Sequence, residues 1–135
     1  MKLPHQAHVA IADGTSFVLF RNQGAMFEPR LIEEDKPELE VTNFSAGSRD
    51  GDQIGRMLGR TDLKELGHGA AVAEWLNAKA IAGEIEQLLI IADPKTLGEM
   101  RLHYHSELRK KLVGELDKTL SGQPTEKIEK AIEQA

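Results

Sequence analysis

Two aspartates stand where carboxylate-based metal chemistry would want them. Asp13 follows the apolar run His8-Val9-Ala10-Ile11-Ala12, and Asp93 follows Gln87-Leu88-Leu89-Ile90-Ile91-Ala92. If the two runs are adjacent parallel strands, both carboxylates fall at one end of a sheet. Glu74 or Asp117 could join them there around two divalent cations, the arrangement that cleaves phosphodiesters. Each residue also has a plainer role. Asp13-Gly14 is a tight turn, and Asp93-Pro94 opens a helix with aspartate as N-cap and proline in the first turn. Glu74 fits a solvated helix face, and Asp117 alternates with apolar residues along a strand. Asp13 and Asp93 are therefore weak catalytic candidates, and a metal-dependent nuclease is the remote alternative.

Histidine and cysteine narrow the chemistry further. The chain has no cysteine, so thiolate metal sites, disulfides and a cysteine nucleophile are all excluded. His103 and His105 are two apart, a spacing that points them to different faces of a helix. His5 and His8 flank the strand start beyond Pro4, and His68 sits between Gly67 and Gly69 with no evident partner. No metal site and no cofactor is expected. The glycines lack the strand-to-helix setting and the lysine of a phosphate loop.

Charge is more informative. The net charge is −5, from 17 Lys and Arg against 22 Asp and Glu in 135 residues. That balance argues against nonspecific adhesion to nucleic acid, which depends on neutralising phosphates. Locally the picture differs. Glu28, Glu33, Glu34, Asp35, Glu38 and Glu40 make an acidic third strand. Arg101, Arg109, Lys110 and Lys111 make a basic stretch, and Arg49, Arg56 and Arg60 sit in a glycine-rich segment. These seven are the candidate RNA-binding residues, with a solvated helix face as the plainer role of the basic stretch.

The elements that must position these residues follow from periodicity and punctuation. The run at 8–12 is a strand covered on both faces, and Ser16 to Asn22 is a second, closed by Asn22-Gln23-Gly24. A third strand is predicted from Arg30 to Val41, placed at a sheet edge by Pro37. From Thr42 to about Asp62 no apolar period persists, which predicts a flexible loop. Leu66 to Glu86 reads as an alanine-rich helix with Val72, Ala73, Leu76 and Ala80 on its buried face, extended by Ile81 and Ile85. Trp75, the single tryptophan, is expected to wedge between helix and sheet rather than serve as a stacking platform. Gln87 to Ala92 is a buried strand, a helix runs from Asp93 to Leu108, and Lys111 to Thr119 is a last strand. A terminal helix begins near Pro124, with Ile128 and Ile132 one turn apart.

The order βββαβαβα is an antiparallel meander followed by right-handed crossovers. It predicts one α/β domain over residues 1–135, with a five-stranded mixed sheet in the order 3-2-1-4-5 and helices on both faces. That is a ribonuclease-H-like topology. A nuclease on such a sheet wants its first aspartate inside the strand, which Asp13 is not. No export signal is legible before the Val9 to Ala12 run, and that run is too short to span a membrane, so a cytoplasmic location is expected.

Three stretches together resemble a family of bacterial host attachment proteins, itself related to the central domain of archaeo-eukaryotic release factors and Pelota. They are Val9-Ala10-Ile11-Ala12-Asp13-Gly14 leading to Phe20-Arg21-Asn22, then Pro94-Lys95-Thr96-Leu97-Gly98-Glu99-Met100-Arg101, and Val113-Gly114-Glu115-Leu116-Asp117-Lys118-Thr119-Leu120. The resemblance spans nearly the whole chain. In release factors a Gly-Gly-Gln loop of this domain enters the peptidyl-transferase centre. Here the nearest match is Gly51-Asp52-Gln53, whose aspartate would bring negative charge among RNA phosphates, so peptide release is not expected. At this length there is also no room for a release factor's other domains. The expectation is a non-catalytic binding domain that associates with the ribosome or structured RNA. The alternative is a protein-interaction or self-assembly module using the edge strand near Pro37.

Overall fold

A computed structural model of the chain describes residues 1–39 and 60–135, the side chains of residues 60–62 excepted. Its elements are β1 (His8–Ala12), β2 (Phe17–Asn22), β3 (Leu31–Asp35), α1 (Arg60–Ile81) and β4 (Leu88–Ala92), then α2 (Pro94–Arg101), α3 (Ser106–Lys111), β5 (Leu112–Leu116) and α4 (Thr125–Gln134). The five strands form one sheet in the order β3-β2-β1-β4-β5. β1 pairs antiparallel with β2 and parallel with β4, and β4 pairs parallel with β5. The mixed sheet and its strand order are therefore those expected from the pattern of elements.

Alternation along the central strands builds two cores. Ala10 and Ala12 of β1 and Leu88, Ile90 and Ala92 of β4 face Val72, Leu76 and Ala80 of α1, Leu97 and Met100 of α2 and Leu108 of α3. Val9, Ile11, Leu89 and Ile91 point the other way, onto Leu3, Ala7 and the α4 residues Ile128 and Ile132. Helices thus cover both faces, three on one side and one on the other. All five residues of both β1 and β4 are buried, as continuous apolar strands in the middle of a covered sheet must be.

Several boundaries differ from expectation for identifiable reasons. β3 stops at Asp35, short of the predicted Val41, because Pro37 cannot donate to the ladder. α1 begins at Arg60, inside the segment read as loop to Asp62; the rest of that segment, with Arg49, Arg56 and Gly51-Asp52-Gln53, lies outside the described residues. The same helix ends at Ile81 rather than Glu86. Gly83 adopts φ 77°, its amide donates to the Ala80 carbonyl and the Glu84 amide donates to the Lys79 carbonyl, a Schellman closure. Ile81 is consequently left 57 % exposed instead of extending the buried stripe, while Ile85 returns to the core.

The largest departure is the helix predicted from Asp93 to Leu108, which is two helices. Asp93 caps the first as expected, its Oδ2 accepting from the Thr96 amide at 3.1 Å. The chain then breaks between Leu102 and His105. Asn77 of α1 holds that break open from across the interface: its Nδ2 donates to the His103 carbonyl at 2.8 Å and its Oδ1 accepts from the His105 amide at 2.9 Å. His105 restarts the helix as N-cap, its Nδ1 accepting from the Glu107 amide at 3.0 Å. The element order is thus βββαβααβα.

Candidate functional site

The register Ala12↔Ala92 sets Asp13 and Asp93 side by side at the carboxyl ends of adjacent parallel strands, as the spacing predicts. Both side chains hold local backbone. Asp13 Oδ1 accepts from the amides of Thr15 and Ser16, at 2.8 and 2.7 Å, and from both hydroxyls. Partial burial raises the Asp13 pKa, but these hydrogen bonds outweigh it and hold the carboxyl below its ordinary value. Asp93 Oδ2 is the helix cap, and its Oδ1 is buried without a hydrogen-bond partner. Glu74 is exposed on α1 and Asp117 is exposed after β5. Among the described residues no three histidine or carboxylate side chains converge where they could hold a metal ion.

The basic stretch gathers at the opposite end, because α3 runs directly into the amino end of β5. Its members are not equivalent. Arg101 Nε and Nη2 each donate to Glu115 Oε1 of β5 at 3.2 Å, and Tyr104 Oη donates to Glu115 Oε2 at 2.6 Å. The hydrogen bond and charge of Glu115 raise the Arg101 pKa, while burial first and then Glu115 raise that of Tyr104. Lys111 Nζ donates to the Ala80 carbonyl at 2.6 Å and so closes the last turn of α1. Lys110 reaches Glu107 at 3.0 Å in an exposed pair, which pulls the Glu107 pKa down but holds Lys110 weakly. Arg109 is exposed. Arg109 and Lys110 are thus the cations of this corner most available to a partner. Arg60 lies in the first turn of α1, its side chain outside the described set.

The histidines have partners that sequence reasoning did not foresee. His68 is buried, with Nδ1 2.9 Å from the Asp13 carbonyl, so α1 is tied to the turn after β1. His103 Nε2 lies 2.9 Å from Glu99 Oε2, whose side chain is 1 % exposed. His5 Nδ1 reaches the Gly24 carbonyl at 2.9 Å.

A second polar constellation was not singled out from the sequence at all. His8, Arg21 and Glu34 meet across β1, β2 and β3, with His8 Nε2 2.5 Å from Glu34 Oε2 and Arg21 Nη2 2.6 Å from Glu34 Oε1. Arg21 faces His8 in the antiparallel register. An apolar-strand reading hides His8, and the acidic run hides which of its carboxylates turns inward. The polar residues in otherwise apolar β1 and β2 were the available signal.

The strand order and the covered sheet define a small α/β domain of ribonuclease-H-like topology, with Asp13 and Asp93 engaged in a turn and a helix cap. The chain belongs to bacterial archaeo-eukaryotic release factor family 12, whose model matches residues 6–132. No curated protein matches it. The relation to release factors read from the three sequence stretches is therefore present, while the relation to attachment has no counterpart in that match.

Proposed function

We propose that this domain works in the cytoplasm as a non-catalytic, ribosome-associated module that binds structured RNA through the α2–α3 corner. The observation carrying this reading is the pair Arg109 and Lys110, exposed at the basic end of α3 in a protein of net charge −5. Membership of a release-factor family supports it. Arg101 and Lys111 flank the pair and add positive potential while holding Glu115 and Ala80. Arg49 and Arg56, outside the described residues, and Arg60, in the first turn of α1 and so at the far end of that helix from this corner, are the remaining candidate RNA-binding residues of the sequence.

The test is cosedimentation with ribosomes over a salt series. Arg109→Glu with Lys110→Glu should abolish binding at low salt, and single neutral substitutions should each lower the slope of log K against log salt by about 1. Lys111 is left unchanged because its loss would unsettle α1. A protein that sediments free of ribosomes at low salt would sink the reading.

A second reading rests on β3, where Ile32 to Asp35 are exposed and no strand among the described residues pairs with the outer edge, so its backbone could pair with another chain. Light scattering that showed stable assemblies insensitive to ribonuclease would favour it. The metal-dependent nuclease remains testable through Asp13→Asn: it requires a divalent-ion-dependent cleavage of RNA, DNA or hybrid by the parent that the variant lacks.

A further inference from the structure

Among the described residues, α1 packs over the β1, β2 and β4 side of its face, with Leu39 also against that core. A cleft of about 380 Å³ is walled by Trp75 and Lys79 of α1 and by Arg21, Glu34 and Asp35 of the sheet, with Leu19 and Ile85 as its apolar floor and Glu84 at its rim. We propose that this cleft binds a guanine base, either as a free nucleoside or as an unpaired residue of an RNA.

The chemistry of the lining selects that ligand class. Glu34 has one oxygen on His8 and the other on Arg21, and so holds the guanidinium in place. His8, with its side chain 6 % exposed, is a positioning residue: its Nε2 proton goes to Glu34, fixing the carboxylate that fixes Arg21. Arg21 Nη2 is on Glu34 and its Nε is buried out of a ligand's reach, so the donor it presents is Nη1, which has no hydrogen-bond partner among the described residues in a side chain 38 % exposed. Asp35 contributes an exposed carboxylate with no ion-pair partner among the described residues, and Glu84 contributes another whose ion-pair partner among them is the half-buried Lys79, at 3.0 Å. A donor beside acceptors matches the edge of guanine, whose O6 and N7 accept and whose N1 and N2 donate. Adenine presents a donor where guanine O6 accepts and lacks the N2 amine.

Trp75 supplies the remaining element. Phe17 fixes its ring in an edge-to-face contact at 5.2 Å, and Lys79 Nζ lies 5.2 Å from its centroid. Displacing that flexible lysine would leave an aromatic surface beside the polar edge, and stacking of a base on such a surface is the usual source of sequence-tolerant affinity. The surplus of carboxylates over cations in the lining disfavours phosphate, so the base rather than the backbone is what this cleft reads. It lies apart from the α2–α3 corner, and neither site depends on the other.

Because Trp75 is the chain's single tryptophan, its fluorescence reports this cleft alone. Guanosine, adenosine, cytidine and uridine are titrated into the intact protein, with calorimetry as a readout independent of the ring. Guanosine should give a saturable change with affinity at least about tenfold above the other three. Asp35→Asn, an exposed substitution, should reduce guanosine affinity about tenfold while leaving the circular dichroism unchanged, and Trp75→Phe should weaken all binding by less than Trp75→Ala. A short single-stranded RNA with one central guanosine, compared with guanosine alone, distinguishes the two sources: tighter binding of the RNA assigns an RNA residue, equal binding a free nucleoside. No saturable response to guanosine, equal response to all four nucleosides, or displacement of guanosine by micromolar spermidine would overturn the proposal.

Discussion

Asn22 is the residue on which the turn after β2 depends. Its side chain is fully buried, and both of its polar atoms are used twice: Nδ2 donates to the Leu3 and Pro4 carbonyls at 3.0 and 3.2 Å, and Oδ1 accepts from the Gly24 and Arg30 amides at 2.8 and 3.0 Å. No single replacement meets these four backbone groups. Asn22→Ala should therefore destabilise the domain by about 2–4 kcal/mol, read from urea midpoints, and Asn22→Asp should do comparable harm because its second oxygen meets two carbonyls. Asp13 makes a prediction in pH. Its native carboxyl titrates below the unfolded value near 3.8, so its contribution is complete above that value and is lost as pH falls through the lower native one. Asp13→Asn keeps the acceptor oxygen and removes the titration. Between about pH 5 and 2 the variant should lose stability less steeply than the parent, and parallel acid limbs would contradict the assignment.

At the scale of elements, the connections carry as much information as the helices and strands. Asn77 spans the α2–α3 break, so Asn77→Ala removes both its hydrogen bonds and leaves the His103 carbonyl and His105 amide without them. A loss of about 1–3 kcal/mol is expected, with faster hydrogen exchange at residues 102–106 before the rest of the domain opens. Gly24 shows the same dependence on close approach. A Cβ there would run into the backbone of Glu28 and Arg30, so Gly24→Ala should cost about 1–3 kcal/mol by thermal denaturation although the residue lies in a surface turn.

For the molecule as a whole, β4, like β1 beside it, contributes to both cores. Ile90 faces α1, Ile91 faces α4, and neither is accessible to solvent. Truncating either to alanine should cost about 2–5 kcal/mol, and unfolding should remain a single transition by circular dichroism and Trp75 fluorescence alike. Two separated transitions would mean that the faces fold independently. Charge also distributes at this scale. The acidic β3 edge and the basic α3 corner lie at opposite ends of the strand order, so one small domain presents surfaces of both signs.

What the chain determined by itself is whatever depends on near neighbours. Continuous apolar runs made β1 and β4 central strands, Pro37 limited the edge, Asp13 and Asp93 announced a turn and a cap, and the element order implied the sheet. Apart from the element order, these signals act over about four residues, within reach of a hydrogen bond or one turn of helix. The tertiary structure decided the rest. Asn77 interrupted a helix that its own sequence would continue, Lys111 became the cap of a helix ending thirty residues earlier, and Glu34 of the acidic strand paired with His8 and Arg21. Those outcomes rest on groups brought together by packing, where a buried polar atom must find whichever partner the fold supplies.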